Sequence, residues 1–97
     1  MIVRFVKMEF KEDKIEDFKR IFNSSCEKIR NFKGVQSLEL LQGSDNKSVF
    51  FTRSIWDKAE SLENYRHSEL FKTTWSKTKV LFKEKPEAWT LEVEKSL

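Results

Sequence analysis

Apolar and polar residues alternate in four segments of the chain, and apolar residues recur every three to four positions in the segments between them. The alternation predicts four strands, over residues 2–10, 35–41, 49–56 and 88–93. The helical period predicts one long helix that begins near Asp13 and ends before Gly34. A second helical region runs from Asp57 to Pro86, with a break and a new start at Ser68, whose side chain can cap a helix.

The ends of these predicted helices carry local signals. Asp13 is followed three residues later by Glu16, and Asp57 by Glu60, which is the spacing of a capping box. Gly34 stands at the end of the first helix, where chains often adopt a positive φ that other residues avoid. Each helical region is therefore predicted to begin at a capping box, and the first to end at a glycine.

The predicted order of elements is strand, helix, strand, strand, helix, strand, which is the split βαβ arrangement of ferredoxin-like domains. The sequence thus predicts an α+β fold, a four-stranded antiparallel sheet with its helices on one face. The third strand is apolar on both faces, with Val49, Phe51 and Ile55 on one and Phe50 and Trp56 on the other. Because helices cover only one face of the sheet, the apolar residues on the other face predict a homodimer in which two sheets pack together.

Composition narrows the class of protein. At 97 residues the chain is predicted to form one domain, over residues 1–97. Its 19 Lys and Arg interleave with 16 Asp and Glu, so we expect no nucleic-acid partner. One Cys and one His are too few for a zinc site or a disulfide framework, which favours the cytoplasm. There is no apolar run of about 18 residues and no glycine-rich phosphate loop, so we expect neither a membrane partner nor a cofactor.

One segment resembles a known family. From Ile55 to Phe71 a strand ends in Trp56, an acidic helix start follows, Leu62 comes six residues on, and Ser68 precedes an aromatic residue by three. This pattern resembles the antibiotic biosynthesis monooxygenase family. The resemblance implies a dimeric α+β barrel with an apolar pocket between helices and sheet. It also implies that some relatives oxidise polycyclic phenols or quinols with O2, without a metal or flavin.

The sequence departs from that family at several positions. Tyr65 and Leu70 stand where many members carry histidines, as the resemblance places them. The haem-degrading branch has an Asn in its first strand, which this chain lacks, and its iron ligand falls where Trp75 stands. An indole nitrogen has no lone pair to offer iron, so haem degradation is disfavoured.

Three polar side chains are the candidate catalytic residues. Tyr65 lies at the family's polar pocket position and is expected to hydrogen-bond a substrate oxygen, or else to pack its ring with the hydroxyl in water. His67 is the side chain best suited to act as a base near neutrality, or else a surface residue at the helix break. Trp75 is expected to donate its indole N–H to an oxygen, or else to belong to the core.

Three more residues are candidate substrate-binding residues. Phe71 lies one helical turn from Trp75 and is expected to line an aromatic pocket, or else to be core. Arg4 and Arg53 both sit in strands with apolar neighbours, and either is expected to hold an anion or to pair with a Glu at the rim or the dimer seam.

The function that these features favour is cofactor-independent monooxygenation of a small aromatic or quinol-like metabolite by a cytoplasmic homodimer. Two alternatives stay open. One is a non-catalytic dimeric module that binds a small ligand or serves in a stress response, which the missing family histidines favour. The other is an isomerase acting on a small carbonyl compound.

Overall fold

The structure, a computed structural model that describes residues 1–97, has one antiparallel sheet and three helices. The strands are β1 (Ile2–Glu9), β2 (Val35–Gln42), β3 (Val49–Trp56) and β4 (Glu87–Glu92), and they lie in the order β2-β3-β1-β4. The helices are α1 (Ile15–Arg30), α2 (Ala59–Arg66) and α3 (Glu69–Lys79). This confirms the predicted α+β ferredoxin-like fold, with strand limits within one residue of those predicted.

Strand register sorts the side chains of the sheet onto two faces. Arg4 of β1 lies opposite Ser54 of β3 on one side and Thr90 of β4 on the other. Successive side chains of a strand point to opposite faces, so even-numbered residues of these strands share one face and odd-numbered residues the other. The three helices cover the even-numbered face, which we call the helix face, and we call the other the open face.

The core lies between the helix face and the helices. It consists of two apolar clusters, Met8, Phe10, Phe18, Phe50 and Leu81 in one and Ile2, Val35, Trp56 and Leu62 in the other. In the first, the rings of Phe10 and Phe18 stack with centroids 4.1 Å apart. In the second, Trp56 is 1% exposed and donates its indole N–H to Ser54 Oγ at 3.0 Å. The apolar side chains predicted for the strands and the helices therefore pack together in one core layer.

The open face is also rich in apolar side chains, although no helix covers it. Leu41, Trp89 and Leu91 are exposed there, at 42%, 40% and 46% of their surfaces. Phe51 and Ile55 of β3 are only half-buried. A contiguous apolar surface of this kind is typical of a face that packs against another protein.

The helix starts differ from prediction. Asp13 lies in a 3₁₀ turn over Glu12–Lys14, and α1 begins after it without a side-chain cap, because backbone bonds such as Lys14 N–H to Lys11 O close that turn. α2 also begins without a side-chain cap. The carboxylate of Asp57 instead accepts a hydrogen bond from Ser61, which is the main cause that lowers its pKa. Both predicted capping boxes were wrong.

Two other predicted signals are confirmed. Ser68 caps α3, its Oγ accepting the N–H of Phe71 at 3.1 Å. Gly34 has a φ of +97° between α1 and β2. A Cβ at Gly34 would also collide with Ser61, so the glycine lets the start of α2 pack against this turn. α3 ends at Lys79, earlier than Pro86 suggested, and Phe82 then pairs with Phe10, the residue after β1.

Candidate functional site

A cavity of about 400 Å³ lies between the helix face and the three helices, partly open to solvent. It exists because α3 packs mainly on α1 and α2 rather than on the sheet beneath it. The sheet positions below α3 also carry small polar side chains, Thr52 and Ser54, where larger apolar residues would fill the space. Most of the other lining residues are apolar, which is typical of a small-molecule site.

One wall of the cavity is aromatic. Tyr65 of α2 lies between Trp56 and Phe71, with ring centroids 5.2 Å and 5.3 Å away. Phe71 in turn stacks on Trp75, with centroids 5.8 Å apart and planes 11° from parallel. Phe71 and Trp75 are four residues apart on α3, so both rings project from one side of the helix. All four rings line the cavity and give it a surface on which a flat aromatic molecule can pack.

Tyr65 carries the hydroxyl of this aromatic wall. Burial raises its pKa from 10.0 to about 12, because the buried phenolate would lose its hydration. The hydroxyl is therefore neutral at physiological pH and acts as a hydrogen-bond donor or acceptor rather than as a base.

Arg4 faces the cavity from the middle of the sheet. It lies on the helix face of β1, a central strand, between Ile2 and Val6. Its only side-chain hydrogen bond runs from Nη1 to Thr90 Oγ1 at 2.7 Å. Its pKa is lowered, first by burial and then by the nearby positive charge of Arg66, while Glu63 raises it.

The rim of the cavity is charged. Arg66, at the end of α2, lines the cavity and forms an exposed ion pair with Glu63 at 3.3 Å. Glu87, at the start of β4, is the only acidic residue of the lining, but it pairs with Lys7 at an odd position, so its side chain belongs to the open face. The cavity thus combines an apolar, aromatic interior with the guanidinium group of Arg4 on its sheet side and that of Arg66 at its rim.

The structure brings four of the six predicted site residues together: Tyr65, Trp75, Phe71 and Arg4 all line the cavity. His67 does not, because it lies exposed after α2 with its Nδ1 2.9 Å from the carbonyl oxygen of Glu63. Arg53 does not either, because its odd position puts it on the open face, where Nη1 donates to Glu39 Oε1 at 2.9 Å. Its predicted alternative, a salt bridge to a Glu, is what the structure shows.

Sequence reasoning missed Arg66. It stands at the end of α2 and looks like an ordinary solvated charge, so no local pattern marks it. For Arg4 and Arg53 the sequence did contain a signal, because alternate residues of a strand share one face. Arg4 shares its face with buried residues such as Met8. The same rule separates it from Arg53, which shares its face with Phe51.

The acidic, His and Cys residues form no group of three or more that could hold a metal ion. None of the three helices has the length and apolar character needed to cross a membrane.

Comparison with known proteins assigns the family. The family model described as antibiotic biosynthesis monooxygenase matches residues 1–76, most of the chain. The chain belongs to the antibiotic biosynthesis monooxygenase family. The matched residues include β1 to β3, α2 and most of α3, which together supply nearly all of the cavity. Among curated proteins, none matches the sequence.

Solved structures share the fold of this antibiotic biosynthesis monooxygenase family member. A Nitrosomonas europaea protein described under the same family name superimposes with a TM-score of 0.90 at 18% identity, covering 98% of this chain and 100% of its own. A conserved Methanosarcina mazei protein gives 0.88 at 20% identity, covering 94% and 91%. Rv0793 from Mycobacterium tuberculosis gives 0.90 at 12% identity, covering 98% and 96%. At these identities the likeness shows the fold.

Proposed function

We propose that this protein oxygenates a small aromatic phenol or quinol with O2, without a bound cofactor. The observation that carries the proposal is the aromatic-walled cavity of about 400 Å³, which falls in the size range of small-molecule sites. Family membership supports a monooxygenase-like activity. The residues that line the cavity support an aromatic substrate, because Tyr65, Phe71 and Trp75 offer stacking surfaces along one wall.

The proposed reaction needs no external reductant. For 1,4-dihydroxynaphthalene, loss of a phenol proton gives an electron-rich anion that transfers electrons to O2. One oxygen atom forms a new C–O bond on the ring, giving 2-hydroxy-1,4-naphthoquinone, and the other leaves as water. All four electrons that reduce O2 come from the substrate, so the atoms and electrons balance.

The chain's own residues supply the remaining requirements. The positive charges of Arg4 and Arg66 favour the phenolate over the phenol, and the phenol proton leaves to solvent at the open side of the cavity. Tyr65 stays protonated and can donate a hydrogen bond to the substrate oxygen. The indole N–H of Trp75 is a second candidate donor from the same wall. The apolar lining reduces the contact of the anion with water, which favours its reaction with O2.

We also propose that a second copy of this chain covers the open face, so that two sheets pack back to back in the cytoplasm. The support is the apolar surface around Phe51, Trp89 and Leu91, which a single chain leaves uncovered. Sedimentation at micromolar concentration is expected to give a dimer for the native protein and a monomer for Phe51→Glu. A native monomer would refute this part of the proposal.

Oxygen uptake tests the proposed reaction. Metal-free protein is expected to consume O2 with a panel of dihydroxynaphthalenes and anthrones, one O2 per product. Tyr65→Phe is expected to lower kcat by about 10²-fold or more, the usual contribution of a group that stabilises an oxyanion. Thr73→Ala, on the exposed side of α3, is the matched control and is expected to keep native rates. Rates equal to spontaneous autoxidation across the panel would refute monooxygenation of this substrate class.

A binding module without catalysis is the second candidate. The observation that favours it is the position of His67, the chain's only histidine, outside the cavity. In that case the same aromatic compounds would bind, quenching Trp fluorescence, while O2 uptake stayed at the spontaneous rate.

A further inference from the structure

We infer that the ligand of this cavity is an acidic aromatic compound, whose anionic group binds Arg4 and Arg66 while its ring lies against the aromatic wall. The inference rests on the proposed function for the aromatic part of the ligand only. It adds the permanent negative charge, which oxygenation by itself does not require.

The first support is the position of Arg4. A guanidinium on the helix face of a central strand, between Ile2 and Val6, gives up part of its hydration. An arginine in such a place normally has a carboxylate partner, yet no carboxylate oxygen lies within 4.0 Å of Arg4. Five N–H donors and a single bond to Thr90 leave most of its donors free for a ligand.

The second support is a like charge beside it. Arg66 comes from a different element, α2, and lines the same cavity. Its charge is near enough to lower the pKa of Arg4, after burial, and Glu63 offsets this only in part. Two guanidinium groups held together repel each other, and an anion between them removes that repulsion.

The third support is how the cavity combines charge with aromatic surface. Arg4 and Arg66 line the same space as Tyr65, Phe71 and Trp75. A planar guanidinium binds a carboxylate through two parallel hydrogen bonds, which would fix the orientation of an aromatic acid. Glu87 is the only acidic residue of the lining and its side chain belongs to the open face, so the cavity has a net positive charge.

A matched ligand pair tests the inference. 2-Naphthoate and 2-naphthamide share one ring system and differ in charge, and quenching of Trp fluorescence or calorimetry reports their binding. The native protein is expected to bind 2-naphthoate at least about tenfold more tightly than 2-naphthamide at low salt, because bonds between two charged groups are the stronger class. Arg4→Gln is expected to remove most of that preference, and Arg66→Gln a smaller part because Arg66 is also paired with Glu63.

Lys33→Ala removes an exposed positive charge elsewhere and is expected to leave the preference unchanged. Circular dichroism checks the fold of each variant. If Arg4→Gln does not fold, the inference is tested instead by the Arg4→Lys variant and by the native protein's relative affinity for the two ligands. Equal affinity for the two ligands, no binding of 2-naphthoate, or a preference that survives both arginine variants would overturn the inference. A preference for 2-naphthoate without O2 uptake would refute the monooxygenase proposal and support the acidic-ligand site. O2 uptake with equal affinities for the two ligands would support the monooxygenase proposal and refute the acidic-ligand site.

Discussion

Arg4 on the helix face and Arg53 on the open face occupy similar sequence surroundings, since each lies inside a strand with apolar residues two positions away on both sides. On the open face Arg53 lies opposite Glu39 of β2 and pairs with it at 2.9 Å. On the helix face the residues opposite Arg4 are Ser54 and Thr90, and neither carries a charge.

The difference shows how a sheet can keep one arginine for structure and another for a ligand. A cross-strand ion pair satisfies Arg53 within the chain, on a face with room for both long side chains. Arg4 has no such partner, although its cost in lost hydration is greater. A charge that the fold leaves uncompensated beside an aromatic cavity is the stronger indication of a binding site.

The largest expected difference between the faces concerns their tryptophans. Trp56→Ala on the helix face is expected to lower the free energy of unfolding by about 3–5 kcal/mol, because a fully packed ring is lost from the core. Trp89→Ala on the open face is expected to cost about 1 kcal/mol or less at concentrations where the chain is monomeric. Urea unfolding of both variants measures this, and equal losses would contradict the assignment of the two faces.

Gly34 tests how α2 is held over the helix face. Gly34→Ala is expected to cost at least about 1–3 kcal/mol, because alanine is strained at a φ of +97° and its Cβ would collide with Ser61. Lys33→Ala, at the exposed neighbouring position, is the control and is expected to change stability by about 0.5 kcal/mol or less. A Gly34→Ala protein as stable as the control would show that the turn relaxes freely.

The ionisation of Tyr65 tests whether its hydroxyl is buried in the cavity wall. The chain has one tyrosine, so absorbance near 295 nm reports its ionisation, expected at about pH 12 rather than 10. The folded-state pKa is raised, so its contribution to stability is complete below pH 10 and is lost as pH rises from 10 to about 12. Tyr65→Phe is expected to remove that part of the pH dependence. Ionisation of Tyr65 in the folded protein near pH 10 would show that its hydroxyl lies in water and would contradict the prediction.

The smallest effects concern the two arginines themselves. Arg53→Gln is expected to lower the free energy of unfolding by about 1 kcal/mol or less, because its ion pair with Glu39 is largely exposed. Arg4→Gln is expected to leave stability unchanged or raise it by a similar amount, because the variant loses a partly buried charge without a counter-ion. Thermal or urea unfolding compares them, and a large loss in Arg4→Gln would indicate a structural role instead.

The sequence predicted the topology because alternation and helical periodicity are local and strong. The limits of β3 and the cap at Ser68 were predicted correctly for that reason. The capping boxes were wrong because a short 3₁₀ turn and the Asp57–Ser61 bond used the same residues differently. Such competition between alternative backbone and side-chain bonds is decided by the surrounding structure.

The site was predicted less completely, for a different reason. Tyr65, Phe71 and Trp75 could be grouped because they fall in neighbouring helical segments, but Arg66 lines the cavity only because of how α2 packs over the sheet. His67 shows the converse, since its chemistry suits a base but its position at the helix break, the alternative that the sequence also offered, places it outside the cavity.

The most direct test of the account is a crystal structure of the protein with 2-naphthoate bound. The naphthalene ring is expected to lie against Tyr65, Phe71 and Trp75, with the carboxylate within hydrogen-bond distance of the Arg4 guanidinium. A ring in the cavity whose carboxylate points away from Arg4, or a ligand bound at Arg53 on the open face, would contradict it.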